Sequence, residues 1–379
     1  MKRIFTFIVA VLLLFVSCIQ TEDLSINPNV DEQEIIFNVD NALAPATKAI
    51  TSGTALTSNF KVYGYTKPEA NVTAGGFIMK DAEYNGTGAN IGKPVSGTYY
   101  WPKADNNADI DVRFVAYSPT NQAKTVNNGS DSKPESVTFN VTTNAINGTD
   151  CIDLLYAIAD DQHPVYATGY PAQNVLDENV KVALEFKHAL AWLQFQGKMS
   201  SEVTSCTVTS IVFSSALNST GDMTINLRDN STTPAWANKA GSLNQFITNP
   251  GASLTSSYAS ISDAVIIPQN VPTSVTITFD LTVASGDETI EYYGRQITRT
   301  INTGVDDNNH SYVATFDASH KYVYRLYVTA TGVEFTITID NWTTDSPNPL
   351  QIWDHDATAY VEHFFDKAST QMVPSLAIA

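Results

Sequence analysis

Apolar and polar positions alternate along most of this chain. Between Ser274 and Ala284, Val275, Ile277, Phe279, Leu281 and Val283 alternate with Thr276, Thr278, Asp280 and Thr282. A period of two is the mark of a strand with one buried face and one wetted face. Ile110, Val112 and Phe114 alternate in the same way with Asp109, Asp111 and Arg113, which predicts another half-buried strand. Glu34–Val39 (EIIFNV) is a short β-rich run, and Asn59–Thr66 sets Phe60 and Val62 against Lys61. Further on, Val182, Leu184 and Phe186 share a face, with a helix as the alternative over Lys187–Leu193. Lys321–Trp342 reads as a hairpin turning around Ala330–Gly332. Many short strands bounded by Gly, Pro, Asn and Asp predict an all-β chain of sandwich-like domains. The polar stretch near Glu178 divides it into an N-terminal domain, 34–178, and a C-terminal domain, 179–350.

The two ends break the rhythm. In 351–379, Trp353, Ala357, Tyr360, Val361, Phe364, Phe365 and Ala368 recur at the three-and-four spacing of a helix. Met372–Ala379 after them is apolar and extended by Pro374. At the other end, Lys2 and Arg3 precede an apolar run from Ile4 to Val16, then Ser17 and Cys18. That run is shorter than the roughly 20 residues needed to span a bilayer, so residues 1–17 read as a signal peptide. With Cys18 directly after the cut, the pattern resembles the lipobox of bacterial lipoproteins, although Phe15 stands where Leu is usual. Cys18 is the predicted lipidation site, and polar residues 18–33 form a tether.

Composition narrows the options. With 43% hydrophobic and 10% aromatic residues over 379 positions, the chain carries enough apolar mass for folded cores. Its net charge of −18 becomes −20 once Lys2 and Arg3 leave with the signal. Such a surface repels nucleic acid. The three cysteines do not make a disulfide scaffold, and Cys151 and Cys206 read as two buried thiols.

No catalytic signature stands out: there is no nucleophile elbow, zinc helix, P-loop or dinucleotide fingerprint. No cofactor or metal is predicted. Asp105, Asn107, Asp109 and Asp111 have the alternate spacing of calcium-loop carboxylates but lack the loop's Gly and its final Glu. They read as a solvated turn. His188, within an apolar run, reads as a hydrogen-bonded core histidine. Tyr99, Tyr100 and Trp101 have the chemistry to stack on a sugar, yet in a strand alternate rings turn into the core.

Several stretches together resemble the fimbrillin family, the subunits of type V pili. They are ATKAI (46–50), FKVYGYT, YYWP with FVAYSP, DLLYA (153–157), EFKHALAWLQF (185–195), IIPQ (266–269), and YVYRLYVT leading to FTITIDNW. The resemblance covers about residues 34–345 and implies two transthyretin-like β-sandwiches in tandem and no enzyme activity. It also implies export as a lipoprotein to the outer membrane and cell surface. Cleavage by a trypsin-like protease then removes the first strand, and a neighbouring subunit's C-terminal strand fills the groove. Here the matching bond is Lys48–Ala49, the strand removed is Glu34–Val39, and the donor candidates are Met372, Val373, Leu376 and Ile378. The expected partners are other pilin subunits, a surface ligand, and the outer membrane through Cys18. The competing expectation is a monomeric anchored adhesin or glycan-binding lipoprotein using the cluster at Trp101.

Overall fold

The computed structural model describes residues 34–39, 56, 58–66, 76–102, 110–131, 133–143, 153–164, 181–246, 251–285, 287–302, 314–341 and 362–363. Among them every regular element is a strand. The alternation at 274–283 is realised: Val275, Ile277, Phe279 and Leu281 are buried, and the residues between them are half-exposed.

Four main sheets carry the fold. The first orders the strands Phe77–Tyr84, Phe60–Thr66, Val112–Ser118, Leu155–Gln162 and Lys187–His188. The second runs Ala235–Ala240, Thr220–Asn226, Pro134–Thr142, Lys124–Asn128. The third runs Ala259–Ile266, Ala191–Met199, His320–Val328, Gly332–Asn341, Glu362–His363, and its second and third strands are parallel. The fourth is built from Leu243–Gln245, Val203–Leu217, Ser274–Ser285 and Glu288–Thr300, with Ala252–Ser253 pairing to the second of these.

Three apolar clusters lie between these layers. One face of the first sheet gives Val62, Met79, Tyr84, Phe114 and Ala116 to a core shared with Ile35, Phe37, Val39, Leu184 and Phe186. Its other face gives Tyr63, Val115 and Tyr117 to a core shared with Phe139, Met223 and Ile225 of the second sheet. The third and fourth sheets enclose the largest cluster, around Phe195, Phe213, Phe246 and Tyr324.

Ladders cross the chain's midpoint. Thr220–Asn226, from the C-terminal half, pairs along its length with Ser136–Thr142 of the N-terminal half. Trp192, Val265 and Ile267 also reach the core beneath the second sheet. The C-terminal half therefore lends a hairpin and several further core side chains, Ala189 and Leu190 among them, to its neighbour.

Two sequence expectations need correcting, and one alternative is set aside. The strand holding Val112 and Phe114 is not half-buried; all seven residues of Val112–Ser118 are buried, because sheets or strands cover both faces. Arg113 is 0% exposed there, and its charge is met by Asp160 Oδ2 at 3.1 Å and the Asn226 carbonyl. The stretch given a helical alternative, Lys187–Leu193, contributes to two strands. In the tail, Glu362 and His363 pair antiparallel with Val333 and Gly332 rather than lying in a helix. An open sheet edge satisfied at those two positions outweighs the helical spacing of the tail's apolar residues. The remainder of the tail lies outside the described residues.

Candidate functional site: the slot of the first strand

Glu34–Val39 is too short to bury anything by itself, and the structure shows what holds it. Its alternation is complete: Ile35, Phe37 and Val39 are 0%, 1% and 2% exposed, while Ile36 and Asn38 are half-exposed. The strand lies in a slot with hydrogen bonds on both sides. On one side Ile35 N–H donates to the Tyr99 carbonyl at 2.8 Å and Phe37 N–H to the Gly92 carbonyl at 2.9 Å. On the other, Val182 N–H donates to the Ile36 carbonyl and Leu184 N–H to the Asn38 carbonyl, both at 2.9 Å. The pairing with Val182–Ala183 is parallel, and the bridge from Glu34 to Tyr100 is antiparallel.

Aromatic rings line the slot floor. Phe37 meets Tyr84 at 4.8 Å, Phe114 at 5.2 Å and Phe60 at 6.1 Å, each edge-to-face, a favoured geometry for aromatic pairs. The Tyr84 hydroxyl donates to the Ile35 carbonyl at 3.4 Å, and burial raises that hydroxyl's pKa well above the usual tyrosine range. One wall is a tight loop in which Gly92 takes φ +76°; a Cβ there would lie 1.8 Å from the Phe37 carbonyl oxygen. Only glycine lets the strand lie this close.

Three buried apolar side chains contribute roughly 2 kcal/mol each. Withdrawing the strand would also leave two carbonyls and two N–H groups of the walls unpaired, at about 1–3 kcal/mol for each that stays buried. The chemistry of the site is therefore that of an acceptor. It binds an extended segment carrying apolar side chains at alternate positions, and it reads the backbone on both edges.

The structure places the other sequence candidates as follows. Tyr99 stacks on Tyr84 at 6.1 Å, and Trp101 meets Phe114 at 5.7 Å. Both rings pack against the slot core rather than forming a sugar platform, as alternation in a strand requires. His188 is a buried core histidine, as expected, and its Nδ1 lies 2.7 Å from the Asp153 carboxylate. Cys206 is a buried free thiol, its pKa pushed up to about 12 by burial. Cys18, Lys48, Ala49, Asp105, Asn107, Asp109, Cys151, Met372, Val373, Leu376 and Ile378 lie outside the described residues. Asp111 is described and lies 3.5 Å from His163 Nδ1; among the described residues no group of His, Cys, Asp or Glu has the arrangement of a metal site. Gly92 and Tyr84, the wall and floor of the slot, gave no signal in the sequence. Val182 and Leu184 gave one, as alternating core positions, but nothing tied them to Glu34–Val39, more than 140 residues earlier.

An all-β chain whose first strand fills a slot in the sheets that follow belongs to a recognisable class of β-sandwich proteins. A fimbrillin-like family model matches residues 47–342, and the chain belongs to that family. Membership supports a structural role as a pilus subunit, working at the cell surface with other pilins. No curated protein matches the chain. Among solved structures it is similar to a fimbrial protein from Bacteroides vulgatus, 16% identical, covering 82% of this chain and 99% of that one, with a TM-score of 0.47. It is also similar to a C-terminally truncated tip fimbrial protein from Porphyromonas gingivalis, 13% identical, covering 82% and 100%, with a TM-score of 0.34.

Proposed function

We propose that this chain is the precursor of a pilus subunit, built as two transthyretin-like sandwiches that meet near residue 178. It is exported as a lipoprotein through Cys18 to the outer membrane. Cleavage between Lys48 and Ala49 frees Glu34–Val39 from the body of the protein. The slot then takes the C-terminal segment of another subunit, with Met372, Val373, Leu376 and Ile378 as donor side chains, and the resulting fibre supports adhesion. The observation that carries this reading is the first strand itself. It is buried through alternate side chains and bonded along both edges, so its loss creates a vacancy that another strand restores. Head-to-tail donation is a heterologous contact that need not close, and it therefore grows a filament.

The decisive experiment treats the purified full chain with a trypsin-like protease and follows both the new N-terminus and the mass of the product. Release of a chain beginning at Ala49, together with the appearance of ladders of oligomers, is the expected result. Preferred cleavage elsewhere, or a chain beginning at Ala49 that stays monomeric, overturns the reading.

A further inference from the structure

The third sheet has two unlike faces. Its inner face supplies Leu193, Phe195, Tyr322, Tyr324 and Leu326 to the largest core. The outer face is read from the register of neighbouring strands. Gln196 pairs with Ser260 and Arg325, and two residues along, Lys198 lies beside Tyr327, which faces Glu334. Tyr258, 41% exposed, lies just before the Ala259–Ile266 strand at the same end of this surface.

The cations on that face are held in an unusual way for so acidic a chain. Lys198 Nζ sits over two rings at once, 4.3 Å from the centre of Tyr327 and 4.5 Å from that of Tyr258. The Arg325 guanidinium lies 5.6 Å from the Tyr258 ring, and its Nε donates to Gln196 Oε1 at 3.1 Å. Among the described residues neither cation forms an ion pair, although acidic residues outnumber basic ones 39 to 21. Rings and an amide orient these charges, and Glu334, which faces Tyr327, is near enough to feel the charge of Lys198. Beside them, a cleft of about 380 Å³ is lined by Tyr327, Glu202, Glu334 and the hydroxyl-bearing residues Ser200, Thr329 and Thr331. That volume falls within the range of small-ligand sites, roughly 300–1,000 Å³.

We infer that this face is a binding site for an acidic glycan, a pyranose chain bearing carboxylates of the uronate or sialate type. Lys198 and Arg325 meet the sugar carboxylate, for which a guanidinium and an ammonium are the matching donors. Glu202, Glu334 and the hydroxyls of the cleft accept from and donate to the ring hydroxyls. The exposed Tyr258 supplies an apolar edge for the C–H side of the sugar. A second copy of this chain is the competing polyanion. The cleft favours the glycan, because Ser200, Thr329, Thr331 and the two carboxylates offer hydrogen-bond partners to the many hydroxyls of a sugar ring, which an acidic protein surface does not present. The inference is independent of strand exchange: it applies to an anchored subunit as to an assembled one.

The test uses the full chain on surfaces carrying polygalacturonate or polysialate, with dextran as the neutral control, at low and high salt. Binding to one polyanion is expected, weakened by salt and about tenfold weaker in the Lys198→Gln/Arg325→Gln double variant, as for loss of a charge-assisted contact. Tyr258→Ser, at an exposed position, gives a second reading should the double variant fold poorly, and it too is expected to weaken binding. Failure of the full chain to bind either polyanion, equal binding by the variants, or equal binding to dextran overturns the proposal. So does self-association at low salt that the double variant abolishes, which would make a second copy the occupant.

Discussion

A Cβ on residue 92 would overlap the Phe37 carbonyl oxygen only while the first strand is in place. Gly92→Ala therefore carries two separable costs. The strain of φ +76° is about 1 kcal/mol and persists whether or not the slot is filled. The overlap exists only in the filled slot, where strand or wall must shift. The variant is expected to lower the stability of the full chain by about 2 kcal/mol or more, and that of a chain beginning at Ala49 by only about 1 kcal/mol. Urea unfolding of both forms measures the difference; equal losses would show that strand and wall are not in the contact described here. The residue scale is also where sequence reasoning stopped short. The sequence marked Glu34–Val39 as a β-rich run, because strand composition is a local property, but it did not say which of its side chains are buried. Gly92 carries no local mark, since its need for a bare Cα arises from a strand more than 50 positions away.

At the scale of the element, the slot should behave as a site that a free peptide can fill. A chain beginning at Ala49 lacks the strand, and a synthetic peptide spanning Glu34–Val39 supplies the same three side chains and backbone groups. The peptide is expected to raise the melting temperature of that chain by several degrees, since about 1 kcal/mol corresponds to roughly 2–4 °C for domains of 150–250 residues. The Phe37→Ala peptide, which leaves the pocket between Tyr84, Phe114 and Phe60 empty, should give no shift. Equal shifts from both peptides would mean that the floor contributes nothing. The elements also show why some were legible and others not. The run at 274–283 covers one core and faces solvent, so its polarity reports its burial. Val112–Ser118 is covered on both faces, and Arg113 disguised it as half-wetted, since its partners Asp160 and Asn226 are remote in sequence. In the tail, helical spacing misled because two ladder positions on Gly332–Val333 depend on a partner strand that sequence periodicity does not see.

For the whole molecule, the ladder joining Thr220–Asn226 to Ser136–Thr142 makes the two halves mechanically one. Met223 lies in the C-terminal half, yet it is 0% exposed beneath the second sheet, packed with Tyr117 and Phe139. Met223→Ala removes that filling and is expected to cost about 2–5 kcal/mol. The loss should appear where the core is, not where the residue falls in the chain. Amide exchange is expected to quicken in Val112–Ser118 and Pro134–Thr142, while Ser274–Ser285, in a separate core, keeps its protection until global unfolding. Were exchange to quicken only after residue 179, the lent hairpin would be a passive attachment. The contrast matters for a fibre subunit. In the exchange proposed above, a slot on one face of the first sheet changes occupants without loosening the other half only if the shared sheet stays closed. Met223 and its neighbours, far from Phe37 on the opposite face of the first sheet, are placed to keep it so.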